Sequence, residues 1–194
     1  MSDGLAALEE LTHRLDRRDR LIVSILKAQH VFIRGESYAK AFDLFLETLL
    51  DFTGSEYGFI GEIRTDKVNP YLKTFAITNI AWNKETRQFY EDNAPDGLEF
   101  HKLSSLFGRT VQTGEVVIAN DPKNHPYAAG IPEGHPPLKA YLGMPLVFEE
   151  KMIGMFGIAN REGGYSQSLA DELLPLCESI SNFIFGYQYS RGYQ

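Results

Sequence analysis

Polar and apolar residues alternate along this chain in ways that predict most of its elements. Two apolar runs, Leu138–Phe148 and Met152–Ala159, flank the charged connection Glu149-Glu150-Lys151. Two β-type runs around a polar break predict a hairpin. Both runs are apolar on both faces, which predicts the middle of a sheet covered on each side. A chain of this length built around such a sheet is expected to form a three-layer α/β/α domain of the α+β class. Asn160-Arg161-Glu162-Gly163-Gly164 stops the second strand, and Ser166 or Ser168 opens a last helix from about Ser168 to Tyr187. Leu169, Leu173, Leu176, Ile180, Phe183 and Tyr187 give that helix steps of four and three, with a bend expected at Pro175 unless it lies in the first turn.

Upstream, Leu5 to Phe32 reads as one long helix without Pro or Gly. Leu8, Leu11, Leu15, Ile22, Ile25 and Phe32 fall on a heptad seam, with Arg18 and Gln29 at the remaining seam positions. Charges of both signs border the seam, the pattern of a helix that pairs with another helix. Gly35 is the expected stop. Ser37 is placed to cap a second helix, Tyr38 to Phe52, whose Phe42, Phe45, Leu46 and Leu49 form an apolar face. Period-two alternation then predicts strands over Glu56–Arg64 and Tyr71–Thr78. Asn79 to Leu103 is the least regular part, with a short helix expected over Lys84–Asp92 under an Asn83 cap. Ser104 or Ser105 caps a further helix ending at Thr113-Gly114. A short strand is expected within Glu115–Asn120, and Asn124 to Pro137 reads as a long loop, a kind of segment that is usually functional or disordered.

Composition narrows the function classes. Of 194 residues 43% are hydrophobic and 23% charged, enough for a sizeable core. The formal net charge of -7 argues against nucleic-acid or anionic-membrane binding through net charge. No apolar run approaches the roughly 20 residues that span a bilayer, and the acidic start MSDGLAALEE lacks a secretion-signal core, so a cytoplasmic location is expected. A single cysteine, Cys177, rules out an intrachain disulfide and a cysteine-built zinc site. His101, His125 and His135 have no metal-ligand spacing, and neither G-x-S-x-G nor G-x-x-x-x-G-K-[ST] occurs.

Two stretches carry a family resemblance. GHPPLKAYLGMPLVFEEKMIGMFGIANREGGY, from Gly134 to Tyr165, resembles the C-terminal half of a GAF sensor domain, where a strand of type FLGxPL pairs with one of type xGxxxLANR. GRTVQTGEVVIANDP, from Gly108 to Pro122, resembles the middle of many GAF domains. The resemblance spans roughly Ser37 to Tyr187 and points to GAF domains of the kind found in bacterial sensor kinases and diguanylate cyclases. It implies a central antiparallel sheet of five or six strands, with the first and last helices on one face and a small-ligand pocket under short helices and loops on the other. It divides the chain into a signalling and dimerisation helix, residues 1–35, and a GAF domain, residues 36–190. A regulatory role in bacterial-type signal transduction is implied, in a homodimer, with no catalysis of its own and a covalently attached output domain in a longer protein.

The same resemblance places Trp82, Phe107, Asn120, Tyr127, His135, Tyr141 and Tyr165 on or beside the pocket segments. Aromatic walls with few polar groups suit a small planar ligand, and the alternative is that the rings fill the space themselves. Asn120, Asp121 and Lys139 either contact the ligand or order loops. HPPLKAYLGMPL is similar to the segment that carries the proximal histidine of haem-binding GAF sensors, but the expected role of His135 and its prolines is to shape the approach to the strand. GAF domains that reduce free methionine sulfoxide use loop cysteines; Cys177 instead falls on the last helix, where a buried structural role is expected. The sequence names no cofactor. The remaining alternative to a ligand sensor is a ligand-free dimerisation module.

Overall fold

The computed structural model describes residues 2–34, 37–66, 69–78, 97–130 and 135–192. Helices α1 (Ser2–Ile33) and α2 (Tyr38–Thr53) lead into strands β1 (Tyr57–Asp66) and β2 (Asn69–Ile77). A two-residue strand β3 (Glu99–Phe100), helix α3 (Leu106–Thr113) and strand β4 (Val117–Ala119) follow. Strands β5 (Tyr141–Phe148) and β6 (Lys151–Ala159) form the hairpin, and helices α4 (Gln167–Glu172) and α5 (Leu174–Ser190) end the fold. The six-stranded sheet has the order β3-β2-β1-β6-β5-β4, with every neighbouring pair antiparallel. The hairpin therefore lies at the centre of the sheet, as its two-faced apolar runs demand.

Local chemistry sets the element ends. Ser37 Oγ accepts from the Ala39 amide at 3.2 Å and Ser105 Oγ from the Gly108 amide at 3.2 Å, which starts α2 and α3. Gly54 and Gly114 stop those helices in the left-handed conformation, at φ 66° and 68°. Ser166, not Ser168, caps the last helical segment. That segment is not one continuous helix: α4 ends at Glu172, and Pro175 sits in the first turn of α5, where its missing N–H has no bond to lose. β3 is an addition to the expected elements, and the helix expected over Lys84–Asp92 lies outside the described residues.

One face of the sheet is covered by α1, α2 and α5. Phe42, Phe45 and Leu49 of α2 and Leu176, Ile180 and Ile184 of α5 are fully buried against Ile60, Leu142, Leu146, Phe156 and Ile158 of the strands. The other face carries α3, with Leu106 buried beside Val117, Ala119 and Tyr141. On the helical face a buried carboxylate ties strand to helix. Glu62 accepts from Arg64 Nε at 2.6 Å and from Gln188 Nε2 of α5 at 2.9 Å. A buried charge is tolerable when paired and hydrogen-bonded in this way.

The heptad seam of α1 divides. Ile25 and Phe32, expected to meet a partner helix, instead pack on this domain's own core; Phe32 lies 5.0 Å from the Phe183 ring. A 3.5-residue repeat drifts by ~20° per heptad on a 3.6-residue helix, so the later seam positions rotate inward. Leu8, Leu11, Leu15 and Ile22 stay exposed, and Leu26 and Ile33, one position further on, continue their stripe. Arg17 fastens α1 to the rest of the domain. Its Nη2 donates to the Phe52 carbonyl at 3.2 Å, its guanidinium stacks 4.4 Å over the Phe52 ring, and Glu172 of α4 lies 3.7 Å away. Among the described residues no helix is long and apolar enough to cross a membrane.

The hairpin turn carries a removable strain. Phe148 pairs with Lys151, and the two residues between, Glu149 and Glu150, have φ of 46° and 66°. Two-residue turns with both φ positive favour Asn-Gly. Replacing Glu149→Asn together with Glu150→Gly is expected to raise the unfolding free energy by about 1–2 kcal/mol in urea titrations. A loss of stability would mean that the two glutamates make contacts that outweigh the strain.

Candidate functional site

The α3 face of the sheet is built from side chains of alternating strand positions. On β5, Tyr141 and Gly143 point to this face, while Leu142, Met144 and Leu146 point to the helical core. Register places Gly157 of β6 between Gly143 on one side and Phe59 of β1 on the other. Neither glycine has room for a side chain. A Cβ at Gly157 would meet Phe59 Cε1 at 2.6 Å and Tyr141 Oη at 2.9 Å; one at Gly143 would meet Tyr141 Oη and Thr110 Oγ1, each at 2.8 Å. The rings of Phe59, Phe100 and Phe107 gather beside them, with centroids 5.6–6.3 Å apart.

Three hydroxyls on this face have no partner. Tyr57 Oη, Tyr141 Oη and Thr110 Oγ1 are buried without a hydrogen bond. An unsatisfied buried hydroxyl costs about 1–3 kcal/mol, so such groups are scarce. Burial also holds the Tyr141 phenol protonated, far above the ordinary tyrosine range. Tyr57 is pushed up to about 12 by burial, with the Glu56 carboxylate adding to the rise.

Beyond the end of β6 a polar brace closes the sheet. Asn160, at φ 62°, donates to Glu56 Oε2 at 2.8 Å and to the Pro137 carbonyl at 2.9 Å, and accepts from the Lys139 amide at 2.8 Å. Asn120 accepts from the Tyr165 amide and donates to the Tyr165 carbonyl, at 2.8 and 2.9 Å. Tyr165 Oη bonds Ser55 Oγ at 2.7 Å and accepts from the Arg161 amide. An open cleft of about 520 Å³ lies over these groups. Their hydrogen bonds go to one another, so the cleft presents a finished network that joins the loops after β4 and β6 to the start of β1.

The expected site residues thus fall into separate places. Phe107 and Tyr141 belong to the aromatic α3 face. Asn120 and Tyr165 hold each other in the brace. Tyr127 is exposed, with the Arg109 guanidinium 4.6 Å over its ring. His135 is half-buried at the approach to β5, donating from Nδ1 to the Pro136 carbonyl at 2.9 Å with its ring edge on Tyr57. Trp82 lies outside the described residues. Phe59, Phe100 and Thr110 join the face without having been expected there. The apolar alternation of β1 could have pointed to Phe59, but nothing local distinguishes Thr110 from any helical threonine. Among the described residues, no three His, Cys, Asp or Glu side chains converge as a metal would require.

Comparison with known proteins agrees with this architecture. The profile of the GAF domain family matches residues 35–184. The methyl sulfide methyltransferase-associated sensor of Methanosarcina acetivorans is 22% identical over 153 residues, which is 77% of this chain but 14% of that sensor's length. Among solved structures, the GAF domain of an Acinetobacter phosphoenolpyruvate-protein phosphotransferase superposes with a TM-score of 0.67 at 18% identity, covering 89% of this chain and 93% of that one. A type II free methionine-R-sulfoxide reductase from Thermoplasma acidophilum superposes with a TM-score of 0.57 at 12% identity, covering 76% and 92%. At these identities the likeness is one of fold.

The reductase makes the thiol of this chain worth placing. Cys177, the single cysteine, is buried in α5 within the helical core, on the face of the sheet opposite Tyr141. Burial pushes its thiol up to about 12. The native protein is expected to resist dithiobis(nitrobenzoate) at pH 8 and to react at once in urea, whereas fast native labelling would mean an accessible thiolate. The unfolded thiol ionises near 9 and the folded one about 12, so folding should weaken as pH rises above 9. Cys177→Ser should flatten that alkaline decline in thermal-unfolding scans.

Proposed function

The chain belongs to the GAF domain family, a family of sensory and generally regulatory domains, and on that premise we propose that it binds a small molecule between α3 and the sheet and relays occupancy through α1 and α5 of a homodimer. The observation that carries this reading is that β5 and β6 have two buried faces with different neighbours. Tyr141, Gly143 and Gly157 face α3, while Leu142, Leu146, Phe156 and Ile158 face the helical layer. Gly154, between them, has its Cβ position 2.8 Å from Ile184 Cδ1 of α5. A shift of these strands under a bound molecule is felt directly by α5. Phe107 and Tyr141 are the expected site residues that contact the ligand in this reading. Asn120 and Tyr165 order the adjoining loops, and His135 shapes the approach to β5. A ligand moves the helices only if it binds two arrangements unequally, and a preference of about 1–3 kcal/mol is a usual coupling.

A catalytic reading draws no support from the thiol, because Cys177 lies on the far side of the sheet. The reading also attaches the chain to an output domain in a longer protein, as in a signalling protein of the bacterial type, and places it in the cytoplasm without membrane insertion or nucleic-acid contact. Mass spectrometry of small molecules released from the purified protein, with an absorption scan for haem, tests the ligand. A released compound that shifts tyrosine fluorescence on re-addition supports the proposal; a protein that neither carries nor accepts a compound is better read as a dimerisation module.

The dimer is expected to use the stripe that α1 leaves open. Leu8, Leu15, Ile22, Leu26 and Ile33 are 60%, 52%, 54%, 56% and 80% exposed. A second copy of the same helix is the occupant argued for by the heptad spacing of Leu8, Leu15 and Ile22 and the mixed charges beside it. Phe185 and Tyr189 of α5, 40% and 65% exposed, offer further apolar surface. Changing Leu15→Asp with Ile22→Asp would bury charges in that contact, at several kcal/mol each. Sedimentation at micromolar concentration is expected to show a wild-type dimer and a folded monomeric variant. A wild-type monomer would remove the dimer from the proposal.

A further inference from the structure

We propose that α1 pairs in parallel with α1 of a second copy, and that Arg14 and Arg18 of each copy set this orientation by pairing with Asp16 and Asp19 of the other. The proposal rests on the reading of the open α1 stripe as a dimer contact and adds how the two copies are arranged. Successive side chains on an α-helix turn by about 100°. Leu8, Leu15, Ile22, Leu26 and Ile33, all more than half exposed, therefore point within about 40° of one another. Arg18 and Arg14 fall about 60° and about 100° to one side of that stripe. Asp19 and Asp16 fall about 40° and about 100° to the other side. The stripe thus has one basic edge and one acidic edge.

All four charged side chains are exposed, and none forms an ion pair with another described residue. Among the described Asp, Glu, Lys and Arg side chains of α1 they lie nearest the stripe. Arg18 and Asp19 differ by about 1.5 Å in height along the helix, and Arg14 and Asp16 by about 3 Å. A two-fold axis running along the seam sets the basic edge of each copy against the acidic edge of the other. Each arginine then meets an aspartate at nearly its own height, on both sides of the seam. A two-fold axis across the seam gives an antiparallel pair instead. That pair sets basic edge against basic edge and acidic against acidic, whatever its register. Apolar contact does not choose between the two arrangements, whereas edge charges set the orientation of paired helices. Leu21 and Ala28, which face the domain core, point about 120° or more from the stripe, so the domain leaves the seam open.

The test places single spin labels at Glu9→Cys and, separately, at Lys27→Cys in the full 194-residue chain carrying Cys177→Ser. Both positions are exposed and lie away from the stripe. In the parallel pair each label meets its counterpart at the same height, and electron–electron double resonance should give about 20–25 Å for both. The two positions are separated by about 27 Å along the helix. In an antiparallel pair of any register, at least one of the two distances must then exceed about 30 Å. A second measurement uses charge alone. Arg14→Glu with Arg18→Glu makes both edges acidic and turns four attractive contacts into repulsive ones. The dimer dissociation constant should rise about tenfold or more in sedimentation. An antiparallel pair would exchange one like-charged contact for another and keep its dissociation constant. Two short distances and a weakened variant are the expected result. A long distance at either label, or an unmoved dissociation constant, would overturn the orientation and leave the homodimer standing. A wild-type monomer would overturn both.

Discussion

The structure depends on burying both faces of a single strand. Eight consecutive residues of β6 and its end, Ile153 to Asn160, are buried, and Gly154 to Ala159 pair with β1 on one side and β5 on the other. A strand in that position has no solvent-facing side to lower its cost, so helices must cover one face and α3 the other. The apolar composition of β6 follows, as does the use of glycine where a neighbour comes too close for a side chain. Asn160 marks where that constraint ends. It is the buried polar residue at which the strand leaves the sheet, and its amide and carbonyl oxygen satisfy the start of β1 and the approach to β5 at once.

Because β5 and β6 serve two layers, the two faces are not independent. Close packing transmits small displacements, since interiors have few voids to absorb them. The glycines are distributed accordingly: Gly143 and Gly157 under α3, Gly154 under α5. The helical side is fastened at separate points. Arg17 joins α1 to the end of α2 and to α4, the Phe32, Phe45 and Phe183 rings join α1, α2 and α5, and the Glu62–Gln188 bond joins β1 to α5. These contacts tie the helices of that layer to one another and to the sheet.

What was legible in the chain was local or strictly periodic. The hairpin, the cap at Ser37 and the glycine stops at Gly54 and Gly114 each follow from a few neighbouring residues, whereas the choice of Ser105 over Ser104 as a cap does not. The inward turn of Ile25 and Phe32 was not legible, because a seam read at 3.5 residues fixes the spacing of side chains but not which way the helix rolls on its domain. Pro175 signalled an interruption without saying that a new helix begins there. The expected site list drew aromatic and polar residues from neighbouring segments, and the fold sorted them. Phe107 and Tyr141 went to the α3 face, while Asn120 and Tyr165 found each other. Thr110 was invisible because its distinction is a rotamer, and rotamers are chosen by the tertiary surroundings.

The reach of α1 has a mechanical consequence. The described side chains from Gly4 to Asp16 are exposed, and the helix is clamped from Arg17 onward. At 1.5 Å per residue, the stretch from Ser2 to Arg17 makes an arm of roughly 22 Å. Tilting such an arm by about 10° at its clamp carries the tip through roughly 4 Å, near the 5.4 Å pitch of a helix. A displacement too small to break any contact in the core is thereby magnified at the far end, and the gain is set by the length of the unclamped helix.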